Sequence, residues 1–163
     1  MAKEDVEADF PALKSRDYEL SDQDFNFNCL AYALGDQTNW WEPPRGSGRY
    51  WPAGFPADVT IQTAESIIRT HGFTAELDAA IEPDTDAIAI YCGYRLLRTD
   101  CRQPECSYGQ GHEWTHFAKF VQGVWSSKPG EGHDVVRFRL HDLEGSLYGR
   151  VVKVLSRPKE GAD

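Results

Sequence analysis

At 163 residues and 40% apolar side chains, the chain is long enough for one domain with a real core and too apolar for general disorder. Its 26 acidic residues outnumber 17 basic ones, for a net charge of -9, which argues against broad binding to nucleic acid or to an anionic membrane surface. Four cysteines do not make a disulfide framework, no run is long enough to span a bilayer, and no apolar stretch follows Met1 to form a secretory signal. The expected setting is therefore the cytoplasm, or another cell's cytoplasm if the protein is delivered there.

The reading is a single domain over 1–163, with 1–12 and 157–163 as loose ends. Residues 1–12 are acidic and short of large apolar groups. Lys14 to Asp24 holds a turn or short strand around Tyr18 and Leu20. The organising stretch is Asn28-Cys29-Leu30-Ala31-Tyr32-Ala33-Leu34-Gly35. Asparagine is a good N-cap and glycine a usual stop, so a short apolar helix is expected from Cys29 to Gly35. Cys29 then stands in the first turn, where free amides and the helix dipole lower a thiol pKa and can hold an oxyanion. The bland alternative is a small buried hydrophobe.

Asp36 to Pro56 is a long aperiodic stretch dense in Gly, Pro and aromatics, including Trp40-Trp41 and Tyr50-Trp51-Pro52. Such a stretch reads as a functional loop whose rings cover the core, wall a substrate cleft, or do both. In Thr60 to His71, Ile61, Ala64, Ile67 and Ile68 share one helical face, with Thr60 as cap and Thr63 and Glu65 on the wet side. Phe73 to Leu77 reads as a short strand and Asp86 to Gly93 as a central one. Tyr94 to Gly111 is an excursion.

Trp114 to Val121 alternates, with Trp114, His116, Ala118 and Phe120 on one face and Thr115, Phe117, Lys119 and Val121 on the other. Gln122-Gly123 makes a tight turn into a return strand over Val124 to Lys128. A further strand over Val135 to Leu140 precedes a turn or helical piece at Leu143 to Gly145. Tyr148 to Leu155 closes the sheet. The fold class is α+β, with N-terminal helices packed on a mostly antiparallel sheet.

A thiol hydrolase needs a cysteine, a histidine in reach and a third group that orients the imidazole. Cys29 on a helix and His116 on a later strand supply the first two. Asp134 is the preferred third member, because a carboxylate fixes the tautomer and stabilises imidazolium; Ser126 and Ser127 stay as alternatives. Asn28, or Asn26, is a candidate side-chain donor for the oxyanion. His133 is an alternative base, whereas His71 and His141 read as surface or cap residues. Cys92, Cys101, Cys106 and His112 invite a zinc reading, but no close Cys-x2-Cys pair is present, and no metal or cofactor is expected. Cys101 and Cys106 would pair only in an oxidising setting. Gly109-Gln110-Gly111 is too short for a phosphate loop, and Arg95, Arg98 and Arg102 form a small basic cluster.

Helix-borne Cys29 followed by strand-borne His116 resembles the papain-like fold in its compact form, as in the cell-wall hydrolases of the NlpC/P60 group. Several blocks more closely resemble a bacterial family of papain-like domains of unknown function. They are Asn28 to Gly35 with Trp40-Trp41; Tyr50-Trp51-Pro52; Thr115-His116-Phe117-Ala118-Lys119; Trp125-Ser126-Ser127-Lys128 through Gly130 to Asp134; and Leu143-Glu144-Gly145 with Tyr148-Gly149. The chain departs from the cell-wall members in lacking their Asp-Cys-Ser-Gly helix entry and a secretion signal. The resemblance implies Cys29 as nucleophile and His116 as base, acting on an amide bond of a protein or peptide as a peptidase, deamidase or amidase. Two other readings stay open: an inactive papain-like domain that binds a protein or peptide, and an effector or toxin that uses the same chemistry.

Overall fold

The computed structural model describes residues 3–43, 49–77, 81–92, 113–129, 133–145 and 147–159, with only the backbone of Asp22 and Gln23. In chain order these form α1 (Lys3–Asp9), a 3-10 turn (Pro11–Ser15), β1 (Glu19–Gln23), α2 (Cys29–Ala33) and α3 (Ile61–Thr70). Then come β2 (Ala75–Glu76), β3 (Thr85–Cys92), β4 (Trp114–Val121), β5 (Val124–Ser127) and β6 (His133–Phe138). Another 3-10 turn (Leu140–Leu143) leads into β7 (Arg150–Pro158). The strands make one seven-stranded sheet in the order β1-β6-β5-β4-β3-β7-β2. Every pairing of these strands is antiparallel, so the α+β class holds.

Strand alternation builds two cores. Ile88 and Ile90 of β3, Phe117 of β4 and Leu155 of β7 meet α2 and α3 on one face. Ala87, Ala89 and Tyr91 of β3, Ala118 and Phe120 of β4, and Trp125, Val135 and Val154 point to the other. That second face is covered by Val6, Phe10 and Leu13, so the expectation of a loose N-terminal arm is corrected. The spacing i, i+4, i+7 gives even this acidic segment one apolar edge. At the other end, β7 runs to Pro158, and the Arg157 guanidinium lies over the Phe73 ring at 4.1 Å, so 157–159 are not loose either. Nor does β7 close the sheet: it lies between β3 and the two-residue edge strand β2.

Local signals explain the elements near the site. Asn28 is extended at φ -109 and its side chain accepts from the Ala31 amide, opening α2 at Cys29. Gly35, at φ +84, takes the left-handed conformation that ends it. Thr60 caps α3 in the same way through the Thr63 amide. Thr63 is buried rather than on the wet side, because its hydroxyl joins that cap at 3.1 Å from Thr60 Oγ1. Gln122 at φ 52 and Gly123 at φ 82 form the two-residue turn between β4 and β5, which sets Val121 opposite Val124 and Ala118 opposite Ser127. A register shift between Tyr91 and Cys92 puts Trp114 opposite Cys92, and the Trp114 ring packs 4.9 Å from Phe117. Trp114 therefore joins the α2 side instead of sharing a face with His116.

Among the described residues, no helix is long and apolar enough to cross a membrane. The excursion with Cys101, Cys106, His112, the three arginines and Gly109-Gln110-Gly111 lies outside the described residues.

Candidate active site

Cys29 is the first residue of α2 and is buried in the core beneath that helix. Burial pushes its thiol up to about 12, and the amides of Phe117, Leu30 and Cys29 itself offset this only in part. The expectation that the helix start lowers this pKa is thereby corrected. A five-residue helix supplies a weak dipole, and loss of solvent outweighs it. The sulfur lies against the Phe117 amide, which belongs to the peptide joining His116 to Phe117.

His116 is fully buried. Tyr148 stacks on its imidazole at 3.9 Å with planes 2° apart, and Tyr91 meets it edge-on at 5.5 Å. Burial pushes His116 down to about 3. Imidazole and thiol thus flank one peptide of β4, the ring from the side of Tyr91 and Tyr148, the sulfur from the side of α2. Both are neutral near pH 7, and no hydrogen bond joins them.

The polar contacts of His116 fix its tautomer. Nε2 is hydrogen-bonded to Ser127 Oγ, and Ser127 Oγ donates to the Phe117 carbonyl at 3.1 Å. With the serine proton committed to that carbonyl, its oxygen can only accept from Nε2–H. Nδ1 is then the basic nitrogen, and it is buried without a hydrogen-bond partner.

Ser127 is therefore the third group that meets His116, in place of the preferred Asp134. Asp134 sits on β6, where its amide donates to Ser21 Oγ at 2.8 Å and its Oδ1 is 4.0 Å from the Nζ of buried Lys128. Burial raises the Asp134 pKa, with Lys128 opposing. Ser126 points to the α2 side and shares a hydrogen bond with Tyr32. Register explains the choice. Ser127 pairs with Ala118, two residues from His116, and so shares its face, whereas Ser126 pairs with Lys119.

Asn28 does not offer its amide to an oxyanion. Nδ2 donates to the Trp41 carbonyl at 2.7 Å, and Oδ1 accepts from Ala31 and Trp41 amides, each at 3.2 Å. Asn26 is exposed, and its backbone amide bonds Asp24. His133 is engaged through Nδ1 with the Ser21 carbonyl on the β1 side of the sheet, away from the thiol. His141 is exposed beside Glu144 at 3.1 Å, and His71 caps α3 with Nδ1 on the Ile67 carbonyl. Cys92 is a buried cysteine at the end of β3. Among the described residues, no group of three or more His, Cys, Asp or Glu side chains is placed to hold a metal ion.

Two features escaped the sequence reading. One is Tyr148, whose stacking on His116 has no sequence signal beyond an aromatic before a glycine. The other is the bond from Asn28 to the Trp41 carbonyl: the sequence offered that side chain as a cap or as an oxyanion donor, not as a tie to a distant segment.

Fold and site define an α+β domain that buries a thiol and a serine-bound imidazole against one strand of an antiparallel sheet. The chain belongs to the family described as Domain of unknown function (DUF7689), whose profile matches residues 18–156. No curated protein and no solved structure matches the chain.

Proposed function

We propose that the chain is a papain-like thiol hydrolase or transferase acting on an amide bond of a protein or peptide. One observation carries this reading. His116 is held as the Nε2–H tautomer by Ser127, its Nδ1 has no partner, and a thiol lies against the next peptide bond. In this scheme the resting pair is neutral. As the Cys29 sulfur attacks the amide carbon, its proton moves to His116 Nδ1, and the imidazolium is steadied through Nε2–H by Ser127. The proton then passes to the leaving amine as the C–N bond breaks, leaving an acyl thioester. Water, or a second amine in a transferase, then bonds to the acyl carbon and gives a proton to Nδ1; the C–S bond breaks, and that proton returns to the sulfur, restoring the neutral pair. Ser127 acts on the imidazole and is a positioning residue.

The test is alkylation of Cys29 by iodoacetamide, followed by mass spectrometry, with buried Cys92 as internal control. Selective modification of Cys29, slowed about tenfold or more in His116→Ala, supports the reading. Modification no faster than at Cys92, and indifferent to His116, overturns it. A peptide aryl amide then serves as turnover probe, with Cys29→Ser abolishing amine release.

Burial of both thiol and imidazole favours a second reading, in which Cys29 is packed and the domain binds a peptide without cutting it. The same alkylation experiment separates the two.

A further inference from the structure

An N-cap needs only an acceptor, and Asp or Ser in place of Asn28 would serve the Ala31 amide as well. Asn28 does more. The bond from its Nδ2 to the Trp41 carbonyl, at 2.7 Å, has no part in capping. It ties residue 28, next to the sulfur, to a segment thirteen positions on. That segment has its own frame. The Trp41 indole donates to Asp36 Oδ2 at 2.7 Å, the Glu42 amide to the Tyr50 carbonyl at 2.9 Å, and the Tyr50 amide to the Trp40 carbonyl at 2.8 Å. The inner ring, Trp41, is buried in the same core as Cys29. The outer surface is the opposite in character. Tyr50 is 41% exposed and packs its ring 4.7 Å from Trp41, and the Arg49 guanidinium lies 4.7 Å over Trp40.

We propose that Asn28 is a positioning residue that holds the aromatic clasp of Trp40, Trp41 and Tyr50 beside Cys29 as a substrate wall, and that this wall accepts an aromatic or apolar group next to the bond attacked. The proposal rests on the thiol reading above. It adds the class of substrate group and the residue that sets the wall's distance from the sulfur.

Asn28→Asp keeps the acceptor for Ala31 but removes the donor to Trp41 and sets a carboxylate against its carbonyl. Wild type and variant are alkylated with iodoacetamide and with N-benzyl iodoacetamide. In both cases the sulfur displaces iodide, forming a thioether, and its proton passes to His116. With the benzyl reagent, wild type is expected to saturate. In Asn28→Asp the half-saturation concentration rises about tenfold, while the limiting rate and the iodoacetamide rate stay within about twofold. Amide hydrogen exchange at Glu42 and Tyr50 quickens by a similar factor, and that at Ala31 does not. A merely structural role would slow or quicken both reagents together, and that outcome overturns the proposal. So does unchanged exchange at Glu42 and Tyr50. If Asn28→Asp does not fold, Tyr50→Ala strips the wall from its exposed side without touching the cap, and the same split between reagents is expected. Failure of both reagents to modify wild-type Cys29 sinks the thiol reading and the wall with it, whereas modification without a benzyl preference sinks the wall alone.

Discussion

α2 and α3 lie on the same face of the same sheet, and each begins with a side chain that caps its first turn. They are built for different ends. α3 has ten residues, an apolar stripe of Ile61, Ala64, Ile67 and Ile68, and a cap whose partners all lie within five positions. It would be recognisable in isolation. α2 has five residues, every one buried, and is too short to persist alone. Its cap reaches across to Trp41, and its first side chain lies against β4. The longer helix is held by its own pattern, the shorter one by its surroundings. A reactive group is better placed on the second kind, because its position is then set by several distant parts of the chain at once.

Four measurements sharpen or break this contrast. The largest effect is expected from Ile67→Ala. It empties a fully buried site under α3 and should cost about 2–5 kcal/mol in urea unfolding, without changing the ratio of Cys29 to Cys92 alkylation. Next is Asn28→Ala, which removes the cap and both Trp41 bonds. A loss of about 2–3 kcal/mol is expected, together with faster exchange in residues 39–43. If it costs no more than an ordinary cap, α2 is as self-sufficient as α3.

The third is pH. His116 has a folded pKa of about 3, below its ordinary 6.5, so between those values the unfolded chain binds more protons. Its contribution is complete above about 6.5 and is lost as the pH falls toward 3, with a slope of up to about 1.4 kcal/mol per unit. His116→Gln should flatten that acid limb. Cys29 has the opposite sign. Its pKa rises from 9.0 to about 12 on folding, so its contribution is complete below 9 and is lost as the pH climbs toward 12. A steep acid limb that survives His116→Gln would mean the imidazole is not held neutral. The smallest effect is Thr60→Ala, at about 1 kcal/mol, with no change in exchange outside α3.

Much of this arrangement was legible in residue order. Asn28 before an apolar run ending at Gly35 located α2 to within a residue, and the alternation of β4 with Gln122-Gly123 located the hairpin. The same hairpin also held the answer to the third residue. Counting back from the Val121–Val124 pair sets Ser127 opposite Ala118, on the face of His116, and Ser126 on the other. Asp134 was preferred on chemical grounds, since a carboxylate orients imidazole well. It lost to geometry, because β6 keeps it with Ser21 and Lys128. The bulge at Cys92–Trp114 was not legible, because it depends on how two strands that are distant in sequence meet. Nor was the docking of α1, where three apolar side chains among acids gave too little pattern to weigh against fraying.

β5 ends at Ser127, although the pairing could in principle run two steps further, to set Pro129 across from His116. Val121 and Val124 close the two-residue turn as a hydrogen-bonded pair, so by alternation Phe117 faces Lys128 across the next bonded position, and residue 129 would turn its nitrogen away from β4. The outer edge of β4 at Phe117 is left unzipped over a short span, and into that notch the sulfur of Cys29 fits. Were the Lys128 carbonyl to take up the Phe117 amide, the hairpin would grow one rung and shut the thiol out.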